Sequence, residues 1–128
     1  MGLLDIFKKD SADKPEKKGM PWINLTEMSQ LDEIKEKSKG KTQIIFKDST
    51  RCGISRMVIN QFQASYNYNE QIDAYYLDLL NFRPISLEVA ERFEVMHQSP
   101  QLLVIKNGVV VHHASHNDIR TESLEQYV

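Results

Sequence analysis

Ile44–Ile45–Phe46–Lys47–Asp48–Ser49–Thr50–Arg51–Cys52–Gly53–Ile54–Ser55–Arg56–Met57–Val58 reads as a short apolar strand, a tight polar turn and the opening of an amphipathic helix. The only cysteine of the chain stands at the joint. A helix that begins there leaves its first backbone N–H groups without intrahelical partners, and the positive end of its dipole falls at the same point. Both stabilise an anion, and a thiolate is an anion, so a cysteine so placed has a depressed pKa and is reactive at neutral pH. A lone cysteine is also commonly a buried structural thiol. Its position between Arg51 and Gly53, at a strand-to-helix turn, favours reactivity and points to thiol–disulfide exchange with one working sulfur.

Outward from this joint, Ile54, Met57, Val58 and Phe62 repeat at helical spacing, so the helix is expected to run to about Tyr66 before Asn67–Tyr68–Asn69 breaks it. Upstream, Trp22–Ile23–Leu25 begins the folded part as an edge strand or extended arm. Ser29–Gln30–Leu31–Asp32 resembles a capping signal for a helix whose Leu31, Ile34 and Ser38 share a face and which Gly40 stops. Downstream, Ile72–Leu80 has strand composition, and Ser86 is placed to cap a helix carrying Val89, Ala90 and Phe93. Gln101–Lys106 and Val109–His113 flank Asn107–Gly108, a strong hairpin signal, and a short helix from Thr121 brings Leu124 back to the sheet. Strand–helix–strand followed by a hairpin implies an α/β chain on a thioredoxin-like plan, with a mixed four- to five-stranded sheet and helices on both faces.

At 128 residues with a net charge of −2, the chain is one domain without the concentrated basic face of a nucleic-acid binder. Residues 1–20 read as a mobile N-terminal segment ahead of a domain over 21–128, because Lys8 to Lys18 is too polar to bury anything. The apolar part of Met1–Lys9 is too short for a secretory signal, and Ile6 stands where a myristoylation pattern needs Ser or Thr. No apolar run approaches the ~20 residues of a membrane helix. A single cysteine rules out an internal disulfide framework and fits a reducing compartment, so a cytoplasmic location is expected.

Ser55 occupies the place, three residues after Cys52, where a dithiol relative carries its resolving cysteine. A hydroxyl can hydrogen-bond a thiolate but cannot displace sulfur, so release requires an external thiol. Arg51, Gly53 and Ser55 are the expected thiolate-stabilising groups, while Asp48 opposes them. Ser99–Pro100 stands just ahead of a core strand. On the thioredoxin plan this bond is cis and faces the cysteine, and Ser99 offers backbone groups to an extended substrate. Ser115–His116–Asn117–Asp118 follows the hairpin on the same side and reads either as a turn and cap or as a holder for the carboxylate of a small thiol. His97, His112 and His113 lack metal-ligand spacing with the cysteine or any carboxylate pair, and no metal site is expected.

Three segments, Phe46–Ser55, Asp78–Ser86 and His97–Gln101 continuing to His113–His116, resemble in order and spacing the monothiol bacilliredoxin family of the thioredoxin superfamily. The resemblance implies a cytoplasmic oxidoreductase that removes bacillithiol from mixed disulfides on oxidised, S-bacillithiolated proteins. Cys52 would be the nucleophile, with Thr50, Ser99, Pro100 and His116 on the substrate side. It implies bacillithiol as a co-substrate, no permanently bound cofactor, and a bacterial host that makes this low-molecular-weight thiol. Gly53 stands where the family commonly has proline, and Asp48 where histidine is common. Cys52–Gly53–Ile54–Ser55 is also similar to the Cys–Gly–Phe–Ser site of monothiol glutaredoxins, which implies an iron–sulfur carrier as the alternative. A redox-inert adaptor on the same fold is the third reading.

Overall fold

The computed structural model describes residues 20–128; the expected mobile segment therefore lies, except for Met20, outside the described residues. Its elements in chain order are β1 (Ile23–Asn24), α1 (Ser29–Lys37), β2 (Thr42–Asp48), α2 (Gly53–Ser65), β3 (Ile72–Asp78), α3 (Arg83–Arg92), β4 (Gln101–Lys106) and β5 (Val109–Ser115). Two 3-10 helical turns, His116–Asp118 and Thr121–Tyr127, end the chain. The five strands lie in the order β1-β3-β2-β4-β5. β1 and β2 run parallel to β3, whereas β4 is antiparallel to both β2 and β5. This is the expected mixed sheet of the thioredoxin-like plan.

β2 is the central strand and is buried along its whole length. Alternation sends Ile44 and Phe46 to the face covered by α2, where they pack with Val58, Ile59, Phe62 and Leu124. Ile45 faces the other way and joins Leu31, Ile34, Val89 and Phe93 beneath α1 and α3. The strand continues two residues beyond its apolar run, through Lys47 and Asp48, because both have partners inside the fold. Trp22 closes the edge of the α2 face, stacked on Phe62 at 6.2 Å and edge-on to Phe46 at 5.8 Å. Its indole N–H donates to Gln63 Oε1 at 2.7 Å.

Two helix starts differ from the sequence reading. Ser29 lies inside α1 and makes no cap; instead the Gln30 carboxamide oxygen accepts the N–H groups of Thr26 and Glu27 at 2.8 and 2.9 Å. α3 begins at Arg83, three residues before Ser86, with Pro84 in its first turn and Ser86 buried within it. Proline is preset for the first turn and needs no donor there, so the helix starts upstream of the serine. The hairpin follows its Asn107–Gly108 signal, with both residues at positive φ, 53° and 81°. Ser38 fastens this turn to the end of α1. Its carbonyl accepts the Asn107 N–H and its Oγ accepts the Gly108 N–H, each at 2.8 Å.

Among the described residues, no helix is long and apolar enough to cross a membrane.

Candidate functional site

The register of the sheet decides what meets at its working end. Lys47 on β2 pairs with Gln101 on β4, and Gln101 pairs with Ser115 on β5. The residues that follow β2, precede β4 and follow β5 therefore emerge side by side: the Ser49–Cys52 turn, Ser99–Pro100 and His116. The Ser99–Pro100 bond is cis. The His116 N–H donates to the Pro100 carbonyl at 3.0 Å, which ties the loop after β5 to the proline. The same 3-10 turn packs against α2, the helix that carries the cysteine.

Cys52 is the N-cap residue of α2 and has extended backbone angles, φ −103° and ψ 124°. Its own N–H donates to the Ser49 carbonyl at 3.1 Å, and its carbonyl accepts the Arg56 N–H at 3.2 Å. The turn is thus closed on both sides, and the side chain stays partly exposed. The thiol is held below its ordinary pKa, first by the backbone N–H of Ser55 and then by that of Ile54. Partial desolvation and the Asp48 carboxylate push the other way, while the Ser55 hydroxyl adds a smaller lowering effect. These amides are the orphan donors of the first helical turn. They favour the charged form of the sulfur because only that form accepts strongly.

Of the expected thiolate-stabilising groups, Ser55 is fully buried, and its Oγ has no partner of ordinary hydrogen-bond geometry among the described residues. Gly53 and Arg51 are exposed neighbours of Cys52, and neither is among the largest influences on its thiol. Thr50 is exposed on the same turn, and so is His116 across from it. Pro100 is buried, and Ser99 beside it has a buried Oγ without a partner among the described residues. The fold thus brings Cys52, Gly53 and Ser55 onto one helical turn, and Ser99, Pro100 and His116 onto the adjoining loops. Among the described residues, no three His, Cys, Asp or Glu side chains gather as a metal site.

Two polar clusters at this end have no counterpart in the sequence reading. On the α2 face, Asp48 is buried and accepts the Tyr76 hydroxyl at 2.5 Å, while its other carboxylate oxygen has no partner among the described residues. Burial raises its pKa, and Tyr76 and Arg56 restrain the rise. On the opposite face, Lys47 is fully buried, its Nζ 3.3 Å from the Ser86 carbonyl and 3.1 Å from His97 Nδ1. Burial pulls the Lys47 pKa from 10.5 to about 8. The lysine and the histidine stand fifty residues apart in the chain, and no spacing rule joins them.

The chain is similar to known proteins in sequence and in fold. A family model described as monothiol bacilliredoxin BrxC matches residues 23–124. A solved structure described as a candidate oxidoreductase with a thioredoxin fold is 33% identical, with a TM-score of 0.70 over 81% of this chain and 90% of that one. Thioredoxin from Malassezia sympodialis is 17% identical, with a TM-score of 0.65 over 89% of this chain and 92% of its own. Thioredoxin NaTrxh from Nicotiana alata is 22% identical, with a TM-score of 0.61 over 89% of this chain and 95% of its own. The last two share the architecture alone.

Proposed function

The chain belongs to the monothiol bacilliredoxin family, and from that premise we propose that it removes bacillithiol, or a similar low-molecular-weight thiol, from mixed disulfides on oxidised proteins. A thiol redox role follows from the family. The observation that carries the finer reading is Cys52 itself, partly exposed at the start of α2, its thiol held below the ordinary pKa by the amides that open the helix.

The Cys52 thiolate attacks the bacillithiol sulfur of the mixed disulfide. A Cys52–bacillithiol bond forms, the protein–bacillithiol bond breaks, and the electron pair leaves on the protein sulfur, which takes a proton from water. Ser55 stands where a resolving thiol would be, so the adduct waits for an external thiolate. That thiolate takes the bacillithiol as a new disulfide and returns Cys52 to the helix amides. Bacillithiol is a co-substrate in this scheme and no cofactor is held between turnovers. Ser99 and Pro100 would align the substrate backbone, with Thr50 and His116 beside the small thiol and Arg51 on the open side of the turn. The working compartment is a cytoplasm that makes the thiol.

Intact mass spectrometry tests the reading. An S-bacillithiolated protein incubated with the full chain should lose its adduct while Cys52 gains one bacillithiol, and Cys52→Ser should abolish both changes. Absence of transfer, against a bacilliredoxin that works under the same conditions, would overturn it. A chain that instead turns coloured on anaerobic reconstitution with iron and sulfide would be the iron–sulfur carrier.

A further inference from the structure

The segment that delivers Ser99 and Pro100 is held from the sheet by two buried polar side chains. Lys47 and Gln101 are opposite one another in the β2–β4 ladder and share the face beneath α3. Gln101 Nε2 donates to the Met96 carbonyl at 3.0 Å. Lys47 Nζ lies 3.1 Å from His97 Nδ1 and donates to the Ser86 carbonyl of α3 at 3.3 Å. Residues 96 and 97 are thus anchored immediately before the substrate-facing pair. Lys47 also stands five residues before Cys52 on the strand that feeds the cysteine turn. One buried ammonium therefore joins the strand carrying the nucleophile to the loop carrying its partner surface.

An ammonium group has only donors, so the bond to His97 exists only while Nδ1 is an acceptor. That requires a neutral ring with its proton on Nε2. Among the described residues, the charged groups that act on this ring are both cations, Lys47 from β2 and Arg83 from α3, and the Ser86 hydroxyl lies 3.4 Å from Nδ1. No carboxylate is among them, so an imidazolium here would face two positive charges and lose its bond to Lys47. Burial and those two cations hold the His97 pKa below its ordinary value of 6.5.

We infer that Lys47 is a positioning residue for the exchange reaction: by tethering neutral His97 it sets the loop that presents Ser99 and Pro100, and protonation of His97 breaks that tether and shifts the presentation of the pair. This rests on the function proposed above. Lys47 does not touch the reacting sulfur, whose ionisation comes from the amides of α2, so presentation of the disulfide and reactivity of the thiolate are separable.

The test uses the full chain with an S-bacillithiolated protein, an excess of recycling thiol, and iodoacetamide as an independent probe of the Cys52 thiolate. His97→Leu should raise KM about tenfold, the worth of one charge-assisted hydrogen bond, with the alkylation rate of Cys52 within about twofold of wild type. His97→Asn keeps an acceptor near the Nδ1 position and should stay within about twofold of the wild-type KM at neutral pH. Below pH 6.5 the wild-type KM should climb while that of His97→Asn stays level. The inference is overturned if folded His97→Leu and Lys47→Met keep the wild-type KM, or if His97→Asn loses as much as His97→Leu. A wild-type chain that alkylates normally but transfers no bacillithiol sinks the proposed function instead. The tether is then read from the protein alone: protonating His97 should move the Ser99 amide resonance in the wild type and leave it in place in Lys47→Met. A Ser99 resonance indifferent to His97 in the wild type overturns the inference.

Discussion

Replacing Lys47 with methionine isolates the energetic consequence of burying a charge in this core. The side chain has no exposed surface, and its pKa falls from 10.5 to about 8 because the ammonium has lost its water. That gap corresponds to about 3 kcal/mol. The sign follows from proton counting. Between about 8 and 10.5 the unfolded chain holds a proton that the folded chain has released. Stability from this group therefore rises with pH across that window, and the penalty is fully present below it. Lys47→Met has no such penalty, but it removes the Lys47 donor from His97 Nδ1 and from one lone pair of the Ser86 carbonyl, a loss of roughly 1–3 kcal/mol. At neutral pH the two effects nearly cancel. The decisive quantity is the difference between the two chains as pH rises to 10.5, because every other titrating group is common to both. Urea unfolding followed by the fluorescence of Trp22, the only tryptophan and packed on Phe46 and Phe62, measures it. Wild type should gain about 3 kcal/mol on the variant over that range, with equal denaturant slopes. Curves that stay parallel within about 0.5 kcal/mol would refute the claim that a buried ammonium sits at this position.

Three further substitutions probe the site and its frame. Asp48→Asn removes the carboxylate that raises the Cys52 thiol; the midpoint of its pH-dependent alkylation should move down, and an unmoved midpoint would show that the carboxylate does not reach the sulfur. Gly53→Pro should stabilise the fold by about 0.4–1 kcal/mol in urea and leave the Cys52 midpoint in place. A side chain at Gly53 meets nothing within 4 Å, Cys52 already has the extended angles a following proline needs, and the amides that lower the thiol pKa are those of Ile54 and Ser55. Ser38→Ala strands the Gly108 N–H and should destabilise the chain by about 1–3 kcal/mol; an unchanged unfolding midpoint would mean the hairpin turn holds without that bond.

The sequence by itself determined the joint at Cys52 and the order of elements around it, since those rest on local rules. Ile44 and Phe46 alternate with Ile45 across a strand, Val58 and Phe62 fall on the buried face of a helix although Ile54 and Met57 of the same expected repeat face outward, and Asn107–Gly108 accepts the positive φ of a hairpin turn. The serine in the place of a second thiol is likewise a statement about neighbours. Tertiary structure alone decided the rest. The apolar run on β2 ends at Phe46, yet the strand continues through Lys47 and Asp48, because His97, Ser86 and Tyr76 arrive from distant segments to satisfy them. Ser29 and Ser86 have the chemistry of caps, but where each helix starts was decided by the Gln30 carboxamide and by Pro84 in the first turn. A buried charge is recorded in the sequence as one ordinary letter, and only the packing around it says whether water can reach it.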